Sequence, residues 1–150
     1  TETFTEYPSP TSSPTARCGI NRLAKDSKGI IWYSLVSHGK LGRLDPKTGA
    51  IIEYNILPFT DIAGSHPYGI IADPADNIWF GDGGNGGALV RFEPNTKQFT
   101  YYPTPRQGDQ PNLDTTRDGA IAYVTRSSRQ SAIGVFYPDV SKMTEYGAFR

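Results

Sequence analysis

Apolar residues come along this chain in short bursts, separated by turns rich in glycine, proline, aspartate and asparagine. Strand-length bursts bounded by such turns read as β-strands, and no long stretch carries the 3.6-residue period of an amphipathic helix. The bursts recur in pairs. Residues 29–33 (GIIWY) are followed by 41–46 (LGRLDP), 77–80 (NIWF) by 89–94 (LVRFEP), and 120–123 (AIAY) by 133–138 (IGVFYP). Pro46, Pro94 and Pro138 stand 48 and 44 residues apart, and Tyr33, Phe80 and Tyr123 stand 47 and 43 apart. Two independent markers thus keep one period, and about 40 to 50 residues is the length of one four-stranded propeller blade.

Each unit reads as four antiparallel strands. Residues 19–23, 68–72 and 113–116 are the expected inner strands, the paired bursts the second and third, and 51–54, 99–102 and 143–146 the outer ones. Side chains alternate across a strand, so Ile31, Tyr33, Ile78, Phe80, Ile121 and Tyr123 face one way, and Trp32 and Trp79 face the other, toward a neighbouring blade. In the turn after each third strand, proline presets φ, and Gly49 suits a left-handed end. Residues 4–8 (FTEYP) repeat the outer strand one period early, with Tyr7 47 residues before Tyr54.

The expected fold is therefore all-β: about three propeller blades plus one extra outer strand, a partial ring. Its divisions are 1–14 (outer strand of a preceding blade plus linker), 15–58, 59–105 and 106–150. Linkers are expected at 9–14 and 57–65. Because propellers close with four to eight blades, the open blade faces call for partner blades, either from further sequence or from a second copy of the chain. A complete β-sandwich of similar strands is the alternative, which the strict period disfavours.

Composition narrows the function classes. Fifteen basic and fifteen acidic residues cancel, and no like-charge run gives the broad basic footprint of a nucleic-acid binder. Cys18, the single cysteine, rules out a disulfide-built scaffold. No apolar stretch is long enough to span a membrane as a helix. Residues 1–17 lack the basic start and apolar middle of a secretion signal, so in an exported parent, a setting slightly favoured over the cytoplasm, the signal lies upstream or has been removed.

Three segments carry a family resemblance: Leu41-Gly42-Arg43-Leu44-Asp45-Pro46-Lys47-Thr48, Glu53-Tyr54-Asn55-Ile56-Leu57-Pro58 and Pro67-Tyr68-Gly69-Ile70-Ile71-Ala72-Asp73. The pattern resembles the repeats of the streptogramin B lyase family over nearly the whole chain. The resemblance implies a seven-bladed parent ring, of which this chain is similar to about half. It also implies a lyase that opens a cyclic depsipeptide at its ester by elimination, with a histidine general base and Mg²⁺ near acidic side chains at the rim. The family's catalytic histidine occupies Pro-His-Gly at the start of an inner strand. That slot here reads Arg17-Cys18-Gly19, Pro67-Tyr68-Gly69 and Pro111-Asn112-Leu113, and none carries the histidine. Tyr68 matches the family's rim tyrosine, and His66 takes a place where the lyases can carry an acidic residue.

His66 and Tyr68 are the leading catalytic candidates, since residues i and i+2 of a strand point the same way, into the mouth of the ring. Asp82, at the turn leaving the next strand, resembles a rim acid of the family and is expected to share that opening. A histidine beside a carboxylate and a phenol is a workable acid–base or metal constellation. Asn112 and Arg126 complete the candidate ligand-binding set. Arg117, Arg126 and Arg129 form a basic cluster able to meet an anion at the rim, although interspersed serines and Asp118 also fit a solvated surface. His38 reads as a surface loop residue. Residues 82–87 (DGGNGG) lack the alternating carboxylates of a calcium loop and read as a long blade loop. Two functions of different class follow. One is a metal-assisted carbon–oxygen lyase or hydrolase completed by other blades; the other is a non-catalytic propeller module that binds a small ligand or a protein.

Overall fold

Every paired apolar burst in the described residues becomes a strand. The computed structural model describes residues 2–12, 15, 19–56, 64–84, 87–127 and 131–138. The strands are β1 (Ile20–Lys25), β2 (Ile31–Leu35), β3 (Lys40–Asp45), β4 (Ala50–Asn55), β5 (Pro67–Ala72), β6 (Ile78–Asp82), β7 (Ala88–Glu93), β8 (Gln98–Pro103), β9 (Leu113–Thr115), β10 (Ile121–Thr125) and β11 (Ala132–Phe136). They form three antiparallel sheets in simple up-and-down order, β1-β2-β3-β4, β5-β6-β7-β8 and β9-β10-β11. β1 and β2 pack on β5, and β5 and β6 pack on β9, so the first strands of the sheets are the inner ones. The outer strand expected at 143–146 lies outside the described residues, as do most of the 57–65 linker and Cys18. Among the described residues no helix is long and apolar enough to cross a membrane.

The core lies between sheets. Trp32, Leu41 and Ile56 of the first unit meet Ile70, Ile78, Phe80, Val90 and Phe92 of the second. Trp79 and Leu89 use the opposite face of the second sheet to meet Ile121 of the third, joined by Tyr102, Tyr123 and Phe136. Both faces of the second sheet are thus buried, and the two tryptophans point toward neighbouring blades as the alternation predicts. Apolar side chains remain outside on the flanking sheets: Leu23 is 67% exposed, Ile133 84% and Val135 51%. Such surfaces suit further blades.

Two aspartates prepare the tryptophans. Asp26 Oδ1 accepts from the Lys28 and Ile30 N–H groups, and its Oδ2 accepts from Trp32 Nε1 at 3.0 Å. Asp73 repeats this with Ala75 and Asn77 N–H and Trp79 Nε1 at 2.9 Å. Each carboxylate therefore closes the turn between an inner and a second strand while fixing the indole that follows. In the third sheet Thr116 replaces the aspartate and accepts from Ala120 N–H. In the same three turns Gly29, Asp76 and Gly119 all adopt positive φ, of 83°, 61° and 84°. Asp76 is strained there relative to glycine. It is held by the Ser27 N–H and hydroxyl at 2.8 and 2.7 Å, a clamp between the first two sheets.

Residues 4–8, expected as an outer strand, pair with no strand among the described residues, and Phe4 is 97% exposed. A strand exists only through a neighbour's ladder, and none of the three sheets offers this segment one. It is instead strapped to the first sheet by side chains. The Tyr7 hydroxyl donates to the Pro46 carbonyl. Ser9 Oγ donates to Glu53 at 2.5 Å, the Thr11 hydroxyl donates to the same carboxylate, and Tyr33 and Lys40 complete its shell.

Burial raises the Glu53 pKa, but the hydroxyls of Ser9, Thr11 and Tyr33, with the Lys40 charge, outweigh it and hold the carboxyl below its usual 4.5. A depressed folded value means this anchorage is complete above the unfolded pKa and is lost as pH falls through the folded one. Protection factors at Ser9, Thr11 and Ser12, corrected for the intrinsic pH dependence of exchange, are accordingly expected to fall as the pH drops below the usual glutamate range. In Glu53→Gln that acid dependence should vanish; its persistence would place the anchor elsewhere.

Candidate functional site at the inner-strand ends

The inner strands share a defect that shapes the site. One extra residue is inserted between the pairs Ile20–Leu35 and Leu23–Tyr33 in β1, and between Pro67–Asp82 and Ile70–Phe80 in β5. The third sheet repeats the slip between the isolated Asp109–Arg126 bridge and Leu113–Tyr123. A bulge at the same level of each blade re-aims the side chains beside it. The first residue after the leading pair is Asn21 in β1 and Tyr68 in β5; continuing the Asp109–Arg126 register puts Pro111 there in the third sheet. The motif alignment had set Cys18 and Asn112 in this slot. The ladder corrects it by three residues in the first blade and by one in the third.

Tyr68 is the hub. The Arg22 and Arg126 guanidiniums lie 5.6 and 5.3 Å from its ring centre. Hydrogen bonds from Asn21 and Arg126, together with the charges of Arg126 and Arg22, hold the phenol below its ordinary value of 10.0. Three sheets contribute to this one ring: Asn21 and Arg22 from β1, Tyr68 from β5, and Arg126 from the end of β10. Ser34 of β2, fully buried, ties the first two together. Its Oγ accepts from the Arg22 N–H at 3.3 Å and donates to the Tyr68 carbonyl at 2.9 Å. Arg126 is fixed by Asp109, through paired backbone bonds and an ion pair of 3.0 Å.

The remaining candidates are placed differently. Asp82 is fully buried, and its carboxylate faces the protein. Its Oδ2 accepts from Ser65 Oγ at 2.6 Å, and its Oδ1 accepts from the His66 and Gly84 N–H groups at 2.8 and 3.1 Å. It therefore holds the backbone of the loop carrying His66 instead of sharing an opening with His66 and Tyr68. Its negative charge, after burial, also helps push the Tyr101 phenol up to about 12. His66 is exposed and precedes β5, so the same-side rule for strand residues i and i+2 does not reach it. Asn112 is exposed, and its carbonyl accepts from Val124 N–H.

The basic cluster is split. Arg117 sits in the β9–β10 turn, a full strand length from Arg126, and Arg129 lies outside the described residues. His38, expected at the surface, is half-buried on a single 3₁₀ turn (Val36–His38), and its Nδ1 is buried without a partner among the described residues. Among the described residues no three His, Cys, Asp or Glu side chains converge in a way that could hold a metal ion. The Mg²⁺ donors implied by the family resemblance are thus not assembled there.

Asn21, Arg22, Ser34 and Asp109 went unnoticed in the sequence. A bulge has no local signature, but the slot itself was readable by spacing: Asn21, Tyr68 and Pro111 each stand twelve residues before the aromatic marker of their unit, Tyr33, Phe80 and Tyr123. The aspartate six residues before each tryptophan, at 26/32 and 73/79, was a readable signal.

No family model matches the sequence, and no curated protein matches it. Solved structures do. Over 89% of this chain it superposes on virginiamycin B lyase from Staphylococcus aureus with a TM-score of 0.65 and 26% identity, covering 45% of that chain. A catalytically inactive form of the lyase from the same organism, solved with quinupristin, gives a TM-score of 0.63 at 24% identity, covering 84% of this chain and 44% of that one. The WD40 propeller domain of Doa1 also gives 0.63, at 17% identity, over 86% of this chain and 40% of its own length. The chain thus spans less than half the length of the lyases it matches. It is a set of β-propeller blades, similar over most of its length to virginiamycin B lyase and, in fold, to propellers of other kinds.

Proposed function

We propose that this chain is the ligand-facing part of a larger β-propeller, whose binding site is the mouth where β1, β5 and β10 end around Tyr68. One observation carries the reading. Side chains from three separate sheets meet on a single phenol, and Ser34 and Asp109 hold their backbones in place. Polar and charged groups that converge from several elements, with a perturbed pKa among them, mark a candidate binding site. An NMR titration of the protein with a panel of small neutral and charged molecules tests this. Saturable shifts are expected to cluster at Asn21, Arg22, Tyr68 and Arg126. Clustering at the opposite ends, around Asp26 and Asp76, or no saturable shift at all, overturns it.

A second reading is the metal-assisted carbon–oxygen lyase. It is favoured by the likeness to virginiamycin B lyase and by Pro67-Tyr68-Gly69 standing at this mouth. In that case the general base and the metal donors come from other blades of the ring, and this segment supplies the rim tyrosine, with His66 nearby. Incubating the complete protein with quinupristin and Mg²⁺ decides it. Elimination yields an opened product of unchanged mass, whereas hydrolysis adds one water. An intact cyclic substrate after long incubation removes the lyase reading and leaves the binding module.

A further inference from the structure

We infer that the mouth around Tyr68 is a site for an oxyanion, a carboxylate or phosphate carried by the ligand, gripped between Arg22 and Arg126. The inference rests on the reading of this mouth as the binding site and names the chemistry it selects. Two guanidiniums approach one ring, from the first and third sheets. Only one carboxylate accompanies them. Asp109 pairs with Arg126 through Nη2 at 3.0 Å, while Arg22 Nη1 donates only to the neutral carbonyl and side-chain oxygens of Asn21, both at 3.2 Å. Among the described residues no acidic side chain forms an ion pair with Arg22.

A guanidinium carries five donors, so both arginines keep hydrogens to offer. Tyr68 adds a hydroxyl, whose proton can be donated to a ligand oxygen. An oxyanion would be the acceptor that all three groups lack, and planar guanidinium forks match carboxylate and phosphate oxygens. The frame is also preorganised. Ser34 links the Arg22 N–H to the Tyr68 carbonyl, and the Asp109–Arg126 bridge sets the root of the second arginine with bonds of 2.8 and 3.1 Å. Less conformational freedom is therefore lost when an anion arrives.

The test uses inorganic phosphate and acetate as separate probes at constant ionic strength, read by the Asn21 and Arg22 amide and arginine Nε resonances. Saturable shifts with at least one probe are expected, and Arg22→Gln and Arg126→Gln should each weaken binding about tenfold. Arg117→Gln, a full strand length away, should leave it unchanged. Phosphate alone binding identifies a phosphorylated ligand, and acetate alone a carboxylic acid. Well-dispersed spectra of each variant establish that a loss is not unfolding. Absence of saturation with both probes, or equal weakening in Arg117→Gln, overturns the inference. If neutral molecules still bind at Tyr68 in that event, the mouth stands as a site and only its oxyanion chemistry is lost.

Discussion

Trp32→Ala is expected to lower stability by about 3–5 kcal/mol, as truncation of a fully buried tryptophan does. The indole sits in the seam between the first two sheets. It stacks on Tyr54 with ring centres 6.3 Å apart and meets Phe92 edge-on at 5.8 Å. Losing it opens a cavity and strands the Asp26 carboxylate oxygen that accepts its N–H. Against a typical domain stability of about 5–15 kcal/mol, this is enough to populate the unfolded chain. Trp32→Phe separates the two parts, keeping much of the ring while removing the donor, at a smaller cost of about 1–3 kcal/mol. Urea unfolding of the three proteins gives the comparison. A loss below about 1 kcal/mol for the alanine variant would mean that the first two sheets are not joined through this ring.

Asp82→Ala should be the most damaging change near the mouth, at about 2–4 kcal/mol, although the carboxylate meets no solvent. Removing it leaves the Ser65 hydroxyl and the His66 and Gly84 N–H groups without the acceptor that gathers them. Asp82→Asn retains the shape but turns an NH₂ toward these donors, so it is expected to destabilise as well. Two readouts separate anchorage from a role in chemistry. Amide exchange at His66 and Gly84 should accelerate, and the Tyr101 phenol should titrate below its value of about 12, because one of the two causes of its elevation is gone. Unchanged stability and exchange would return Asp82 to the list of groups able to face a ligand.

The strands were legible because each blade repeats the same apolar alternation, and the direction of Trp32 and Trp79 followed from it. The boundaries shifted for a local reason. Residues 29–33 were read as the second strand of the first blade, yet β2 is Ile31–Leu35. Gly29 turns at φ 83° under the Asp26 carboxylate, which delays the extended run. The anticipated left-handed Gly49 is present at φ 75°, and Lys97 takes the same part at φ 59° in the second blade, where no glycine announced it. At the site, Tyr68 and Arg126, both candidates from the sequence, lie against each other. Asp82 lies buried, because sequence order shows that it ends a strand but not toward which side of the blade its carboxylate turns.

Local pattern was sufficient for whatever depends on a residue and its near neighbours: strand periodicity, proline turns, the blade-length repeat, and hence a propeller. Which residues face one another around the axis depended on the packing of whole sheets. The registers of the inner strands set Asn21, not Cys18, level with Tyr68, and the packing of three sheets drew Arg22 and Arg126, more than a hundred positions apart, to one ring. The physical reason is that alternation repeats every two residues, so a one-residue slip reverses every direction beyond it, and only the paired neighbour strand reveals that a slip occurred.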